Sequence, residues 1–557
     1  MTQSSLRGEG SAVEEAIPPA PRKGSASDGR GRHGGGGRGG KKRDAKGRGP
    51  ARRVLRWSAT VLALVVLGTA GAGYLYYQHL NGNIRKGQRS SGDSKAQRSR
   101  PNSAGQMPMN ILLIGSDSRN SDANVALGGS RDNRGTPPRG DVQMLIHLAA
   151  DRKSASVVSI PRDTRVDIPK CTDPDTGKVY PPVNEIINES LARGGAGCTL
   201  ATWESLTGVY IDHWMTIDFA GVVKMADAIG GVEVCVKQNV WDRPTPLAPG
   251  GSGLKLTAGK HKVKGKEALQ WLRTRHAWGS DLLRARAQHM YMNSMIRTLR
   301  SQNVFTDSGR LMGLAEAATK SLQVSEEIGT VEKLYHLAMQ LKTVPTDRIT
   351  MTTMPNVADP QDENHVVPDG AGATKMWKML RDDVPFDDKG PAPDAKNSKN
   401  AKNAKKRTGE SAADRTPSVR ADRLGVLVQN GTRTATQAPV GGRAREIGQE
   451  LAGKGFTRAT ADTSAALSEE ETLVRYPSAD LEGDAQSVAR ALGIPLSSVR
   501  KSTDVSGVTV VVGADWRTGS TYPKEATPKA GDLPDNSDAI NGSDESQCMD
   551  VYAPYRW

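Results

Sequence analysis

Residues 140–169 read "GDVQMLIHLAADRKSASVVSIPRDTRVDIP", two apolar runs on either side of a polar break. The runs at about 142–149 and 155–161 have strand length, and Asp151–Lys153 supplies the turn between them. In a hairpin, residues equally far from the turn face each other. With the turn centred near Arg152, Asp141 and Arg162 meet at the open end, flanked by Arg139 and Asp163. Carboxylates gathered at one sheet edge among guanidinium groups need ion pairing or a divalent cation to coexist. Ligands that are all oxygen suit Mg²⁺, with Mn²⁺ as the alternative, rather than zinc.

Working outward, "MNILLIGSDSR" (109–119) predicts a short buried strand at Ile111–Ile114 that runs into a Gly-Ser-Asp-Ser turn. Asp117 in that turn joins the cluster if its strand runs parallel to 155–161. Downstream, 171–198 reads as a loop excursion with helical character at Glu185–Ala192. The stretch "MTIDFAGVVKMADAIGGVEVCV" (215–236) predicts a helix ended by Gly230-Gly231, then a strand. Two helices, "GKEALQWLRTRH" (265–276) and "SDLLRARAQHMYMNSMIRTLR" (280–300), join at Ala277–Ser280, and more helix is expected around 310–342. Strands mixed with helices over roughly 270 residues predict one α/β domain.

The join between those helices is rich in arginine. Ser280 suits an N-cap, with Asp281 in the first turn. At helical spacing Asp281, Arg284 and Gln288 share a face that Met292, Met295 and Ile296 continue as apolar. Such a face suits a pocket that grips a charged head and admits an apolar tail. Arg286 points elsewhere, toward solvent. A lone Asp281–Arg284 pair is worth only a few tenths of a kcal/mol, so single residues here read as structural and the set reads as a site.

The rest of the chain sets the compartment. Of 557 residues only 36% are hydrophobic, with a net charge of +15, which leaves much of the chain as linker and tail. Residues 1–53 are glycine- and arginine-rich, without apolar periodicity, and are expected to form a disordered basic tail at a membrane surface. Because the surplus charge is concentrated there, no nucleic-acid partner is expected for the body. Residues 54–77, with "WSATVLALVVLGTAGAGYLYY" at 57–77, predict a transmembrane helix. Trp57 and Tyr74, Tyr76 and Tyr77 mark its interfaces, and Arg52, Arg53 and Arg56 its cytoplasmic side. A cleaved signal peptide is the rival; aromatics continuing past Ala70-Gly71-Ala72 favour an uncleaved anchor. The bulk is then extracellular, where disulfides persist. Cys171 and Cys198 flank one insertion and are the expected pair, while Cys235 and Cys548 are too far apart in sequence to assign.

Residues 78–107 read as a linker, 108–386 as the main domain and 387–421 as a second linker. A small α/β module follows at 422–517: strand 424–429, helix 440–453, strand 472–476, helix 483–492 and strand 507–512. Residues 518–557 read as a polar tail.

The segments "NILLIGSDSR", "RGDVQMLIHL", "SIPRDTRVDIP", "DFAGVVKMADAIGGVEV" and "RTRHAWGSDLLRARAQ", in this order, resemble the LytR-CpsA-Psr family. The likeness covers roughly 108–300. "VLVQNGT" and "GVTVVVGADW" are similar to the C-terminal domain that accompanies many longer members. The resemblance implies a single mixed central sheet flanked by helices, beside a second small α/β domain. It implies a membrane-anchored extracytoplasmic phosphotransferase that moves a glycopolymer from a polyprenyl diphosphate carrier to peptidoglycan. On that pattern Asp117 and Asp141 would hold Mg²⁺. Arg139, Arg162, Arg273, Arg275, Arg284 and Gln288 would bind the diphosphate, and Asp281 would orient the arginines. The catalytic set is then Asp117, Arg139, Arg162 and Asp281. Pro182 departs from the pattern, standing where many members carry a lysine, so one diphosphate contact is missing or supplied elsewhere. Gly140 replaces a usual Ser or Thr. A diphosphate hydrolase, a membrane-bound regulator and a wall-binding scaffold are the competing readings.

Overall fold

The hairpin forms in the expected register. In the computed structural model, strand β3 (Gly140–Leu148) pairs antiparallel with β4 (Ala155–Ser159), Met144 opposite Ser159 and Leu148 opposite Ala155. Arg152 turns the chain with φ +60°, and its guanidinium donates to Ala149 O at 2.9 Å. The described residues are 50–557 except 100, 103, 119–121, 128–134, 247, 302–307, 391–415, 435–437, 465–466, 470 and 524–527. The basic tail before Pro50 and most of the second linker lie outside them.

Strand β2 (Met109–Ser116) pairs antiparallel with β3, so it points the same way as β4, as the placing of Asp117 required. Leu112 and Ile114 face one core with Leu145, Trp203 and Trp214, while Ile111 faces another with Val324 and Leu337. A strand apolar on both faces is what a sheet covered on both sides needs.

Around this centre the sheet has eight strands. In chain order the other elements of the body are α1 (Pro50–Asn83), β1 (Arg85–Gly87), α2 (Ser190–Thr207), β5 (His213–Ile217), α3 (Phe219–Ala228), β6 (Val232–Val236) and β7 (Gly259–Val263). They continue with α4 (Gly265–Arg273), α5 (Asp281–Ser301), α6 (Ser308–Ser321), β8 (Leu322–Ser325), α7 (Val331–Thr343), β9 (Ile349–Thr353) and α8 (Gly370–Arg381). The module adds β10 (Val426–Asn430), α9 (Arg443–Gly453), β11 (Ala459–Ala461), β12 (Leu473–Tyr476), α10 (Glu482–Leu492), β13 (Val499–Lys501) and β14 (Val508–Val512). The last strand is β15 (Ile540–Asn541). The main sheet runs β1-β8-β5-β2-β3-β4-β9-β15 and is mixed, and the module has its own sheet, β11-β10-β14-β12-β13. The fold class is therefore mixed α/β with a second small α/β domain, as the sequence pattern predicts.

Both outer strands of the main sheet come from segments that read as linker and tail. β1 pairs parallel with β8, and Arg89 behind it binds the buried Glu204 at 2.8 Å. Residues 85–89 of the segment read as a linker are thus docked rather than a free tether. At the other edge β15 pairs antiparallel with β9, and Cys548 is bonded to Cys235. The segment that read as a polar tail therefore completes the main sheet, after the chain has left to build the module. Cys171 and Cys198 are also bonded.

Local differences have local causes. Residues 183–186 pair as a strand with 165–168, so α-helix begins only at Ser190 and reaches Thr207 across a kink at Gly194–Gly195. The helix expected over 310–342 is broken by β8, where Leu322–Val324 pair with β5. A helix of 54–77 is observed as the longer α1, and Val54–Asn83 is long and apolar enough to cross a membrane.

Candidate functional site

Asp141 owes its position to an irregularity. Gly115 pairs with Val142 but Ser116 pairs with Gly140, so Asp141 is the extra residue of a β-bulge. Bulges re-aim side chains, and Asp141 Oδ1 accepts from Arg162 Nη1 at 2.9 Å. Arg162 Nε lies 3.4 Å from Asp163 Oδ2 and 3.9 Å from Asp281 Oδ1. Asp281 reaches this point from the first turn of α5, whose start Ser280 caps by accepting from Leu283 N at 3.2 Å. From the next turn Arg284 Nη2 contacts Asp281 Oδ2 at 3.1 Å and Asp141 O at 3.3 Å. Three carboxylates and two guanidinium groups thus interlock across β3, the loop after β4, and α5.

The two arginines differ electrostatically. Burial works against the charge of Arg162, but Asp141, Asp163 and Asp281 outweigh it and hold its pKa above the usual arginine value. Burial dominates at Arg284, and with Arg162 nearby its pKa is lowered despite Asp281. Both remain cationic at neutral pH, since arginine starts so high. Arg284 is 7% exposed, and its Nε and Asp281 Oδ1 have no hydrogen-bond partner among the described residues. An unsatisfied buried polar atom costs roughly 1–3 kcal/mol. Arg284 also lines a cavity, whose occupant would meet its guanidinium.

That cavity measures about 310 Å³ and is lined by Asp141, Arg162, Arg273, Arg275, Arg284 and Gln288. Arg273 packs over the Phe219 ring at 4.7 Å, and Gln288 is buried with Nε2 donating to Leu272 O at 3.1 Å. The apolar wall is built by Val142, Ile217, Phe219, Val222, Leu269 and Leu272, from β3, β5, α3 and α4. This differs from the expectation that α5 continues the pocket. Met292 and Ile296 pack against the core formed by Met144, Val157 and Met351, and Met295 packs against a separate core with Trp271. The sheet needs that covering, so the face is already occupied.

Asp117 and Arg139 are placed apart from this set. They line a neighbouring cavity of about 510 Å³, where Arg139 pairs with Glu189 at 2.6 Å. Asp117 Oδ1 accepts from Arg139 N at 2.7 Å, a contact of two strand ends. Asp281 stands behind the arginines rather than on the cavity wall. Arg286 is not simply solvated: it pairs with Asp538 and Gln547. Pro182 is exposed and lines neither cavity.

Among the lining residues missed in the sequence are Asp242, Gly251 and Ser252, which share one loop, and His276 beside Arg275. Asp242 is 1% exposed, with Oδ2 accepting from Ser252 N at 2.7 Å and Oδ1 unpartnered. Gly251 lets the chain fold back, because a Cβ there would stand 2.6 Å from Asp242 O. The signal was the Pro- and Gly-rich run "WDRPTPLAPGGSGL" (241–254), which marks a close-approaching loop.

Among the described residues, no cluster of three or more His, Cys, Asp or Glu side chains is placed to hold a metal ion. Asp117 and Asp141 offer two hard oxygen donors from adjacent strand ends. Such donors are the type Mg²⁺ takes together with water and phosphate oxygens, but the two line separate cavities and their Oδ1 atoms already accept from Arg139 N and Arg162 Nη1.

Comparison with known proteins agrees with these motifs. Residues 74–382 match the LytR_cpsA_psr family, and 423–516 match the LytR cell envelope-related transcriptional attenuator domain. The cell wall biosynthesis protein LcpA of Corynebacterium glutamicum is 29% identical over 328 residues, 54% of this chain and 60% of that protein. The match therefore spans less than two thirds of that relative's length. A Bacillus subtilis protein named polyisoprenyl-teichoic acid–peptidoglycan teichoic acid transferase TagT is 25% identical, over 54% of this chain and 87% of its own. Among solved structures, a LytR-Csp2A-Psr enzyme from Actinomyces oris superposes with a TM-score of 0.39 at 15% identity, covering 53% of this chain and 95% of its own. The chain belongs to the LytR-CpsA-Psr family.

Proposed function

We propose that this protein transfers a glycopolymer from a polyprenyl diphosphate carrier to a peptidoglycan hydroxyl, forming a phosphodiester. The observation that carries the reading is the convergence of Arg162, Arg273, Arg275, Arg284 and Gln288 on one cavity with an apolar wall. A diphosphate attached to a lipid needs both features, and guanidinium groups match phosphate oxygens two at a time. The names of the relatives, which include teichoic acid transfer to peptidoglycan, support the same chemistry.

In this reaction the acceptor oxygen forms a bond to the phosphorus that carries the polymer. The bridging P–O bond breaks, and polyprenyl monophosphate leaves. Arg162 and Arg284 face the charge that grows on the departing phosphate, and Asp281 and Asp141 hold them in place. Stabilising developing charge with pre-placed groups is the main catalytic device in phosphoryl transfer. Asp117 is the proposed acceptor of the hydroxyl proton. Mg²⁺ held by Asp117 and Asp141, with Mn²⁺ as a substitute, would neutralise phosphate charge.

The helix Val54–Asn83 would anchor the chain, with the N-terminal basic segment cytoplasmic and the bulk outside. All four cysteines are in disulfides, which supports an oxidising compartment.

The test is product analysis with polyprenyl-diphosphate-linked glycan, with and without peptidoglycan oligomers. Polymer joined to peptidoglycan is expected, and Arg162→Ala and Arg275→Ala should abolish it. Free polymer phosphate in both arms would show that water is the acceptor and replace transfer by hydrolysis.

A further inference from the structure

The loop Thr274–Ser280 joins α4 to α5 and carries Arg275 and His276 on the cavity wall. Its shape therefore sets how the two arginine-bearing helices converge. Thr274 is held at its start by Ser252 Oγ at 2.6 Å, and the turn is closed by Trp278 N and Gly279 N donating to Arg275 O at 3.1 and 3.0 Å and by Gly279 N to His276 O at 3.1 Å; Gly279 has φ +94°. Its inner side rests on Trp278, which is buried edge-on against Trp271.

Its outer side is covered by a segment distant in sequence, Cys548–Trp557. Tyr552 N donates to Ala277 O at 2.8 Å. The Tyr555 ring, 4% exposed, lies nearly parallel to the His276 imidazole, with centroids 6.3 Å apart and 18° between planes. The segment is anchored independently on β6 and the residues after it. Cys548 is bonded to Cys235, Met549 N donates to Cys235 O, and Lys237 N donates back to Met549 O, both at 2.9 Å. Val551 N reaches Gln238 Oε1 at 2.8 Å, and Trp557 Nε1 reaches Val240 O at 3.0 Å.

We propose that Cys548–Trp557 is a positioning element of the phosphate site: Tyr552 and Tyr555 hold the Thr274–Ser280 loop so that Arg275 and His276 face the cavity. This rests on the diphosphate reading above. A loop whose internal bonds close only one turn, around a left-handed glycine, has accessible alternative shapes when its outer side is uncovered. A displacement of about 1 Å in a charge-binding group is enough to cost binding and rate. Neither tyrosine lines the cavity, so both act through the loop.

Two variants of the full chain test this. Tyr552 has φ −62°, which proline adopts, so Tyr552→Pro replaces the N–H by a methylene set against Ala277 O and breaks the contact, and Tyr552→Ala keeps it. Tyr555→Ala removes the stacked ring, and Tyr555→Phe keeps it. Hydrogen exchange of residues 275–280 is read together with affinity for geranylgeranyl diphosphate and geranylgeranyl monophosphate. Tyr552→Pro and Tyr555→Ala are expected to speed exchange in the loop and weaken the diphosphate by about tenfold or more, with a smaller loss for the monophosphate. Tyr552→Ala and Tyr555→Phe should behave as the parent, and β2 and β3 should stay protected. Unchanged loop exchange and diphosphate affinity in Tyr552→Pro and Tyr555→Ala would overturn the inference and leave the diphosphate reading standing. So would protection lost across the whole sheet, since the segment would then be a general stabiliser. A parent protein that binds neither probe would overturn both.

Discussion

Arg443 in the module and Arg284 in the main domain are both buried, and they are treated in opposite ways. Arg443 is fully buried and its guanidinium is spent on its own fold. Nε donates to Trp516 O at 2.8 Å, Nη1 to Glu446 at 2.8 Å and Nη2 to Gly519 O at 2.7 Å, over the Trp516 ring. Arg284 shares the carboxylate Asp281 with Arg162 and keeps Nε unpartnered at a cavity. A buried cation whose donors are all bonded ties a structure together, whereas Arg284 lines a cavity beside Arg162, Arg273 and Arg275. The two arginines differ in where they are placed and in what their donors touch.

The largest effect should come from Arg284→Ala. Loss of one pre-placed donor at developing charge costs about 10²- to 10³-fold in turnover, with little change in the melting transition; full activity would erase the distinction. Arg443→Ala should do the reverse. It leaves Trp516 O and Gly519 O without their donors, which costs about 1–3 kcal/mol for each buried acceptor, read in the module's own denaturant transition, while transfer by the main domain persists.

His289, on the same helix as Arg284, sharpens the contrast as a buried group with neither partner nor ligand. It is fully buried with both ring nitrogens unpartnered, and burial, then Arg286, pushes its pKa down to about 3. The unfolded chain titrates near 6.5, so it takes up the proton first as pH falls. Stability is then full above that value and declines toward pH 3. Between pH 7 and 5 the loss from this group is about 2 kcal/mol, and His289→Gln should flatten that part of the denaturant-midpoint profile. The smallest effect belongs to Lys454→Ala. Its exposed pair with Glu450 on α9, at 3.3 Å, is worth under about 0.5 kcal/mol and should leave the module's melting unchanged.

The parts of the fold that could be read from sequence are those with local causes. The β3–β4 register followed from turn position, and it brought Asp141 to Arg162. The face shared by Asp281, Arg284 and Gln288 followed from helical spacing. What could not be read depended on distant partners. β8 is a four-residue run inside a helical pattern, strand only because β1 and β5 flank it. Sequence places strand ends at a single sheet edge and so groups Asp117 and Arg139 with the other site residues. The Glu189 partner and the Asp141 bulge divide that edge into two cavities.

Sequence alone determined the central hairpin, the apolar span, the α/β class of both domains and the residue types of the site, because each is a matter of period, length or charge within a short window. Tertiary structure alone decided that the two outer strands come from polar segments, that Cys235 meets Cys548, and which wall of the cavity is apolar. Edge strands bury backbone more than side chains, so their hydrogen bonds leave no hydrophobic pattern to read. A contact across 313 residues is settled only once everything between has folded.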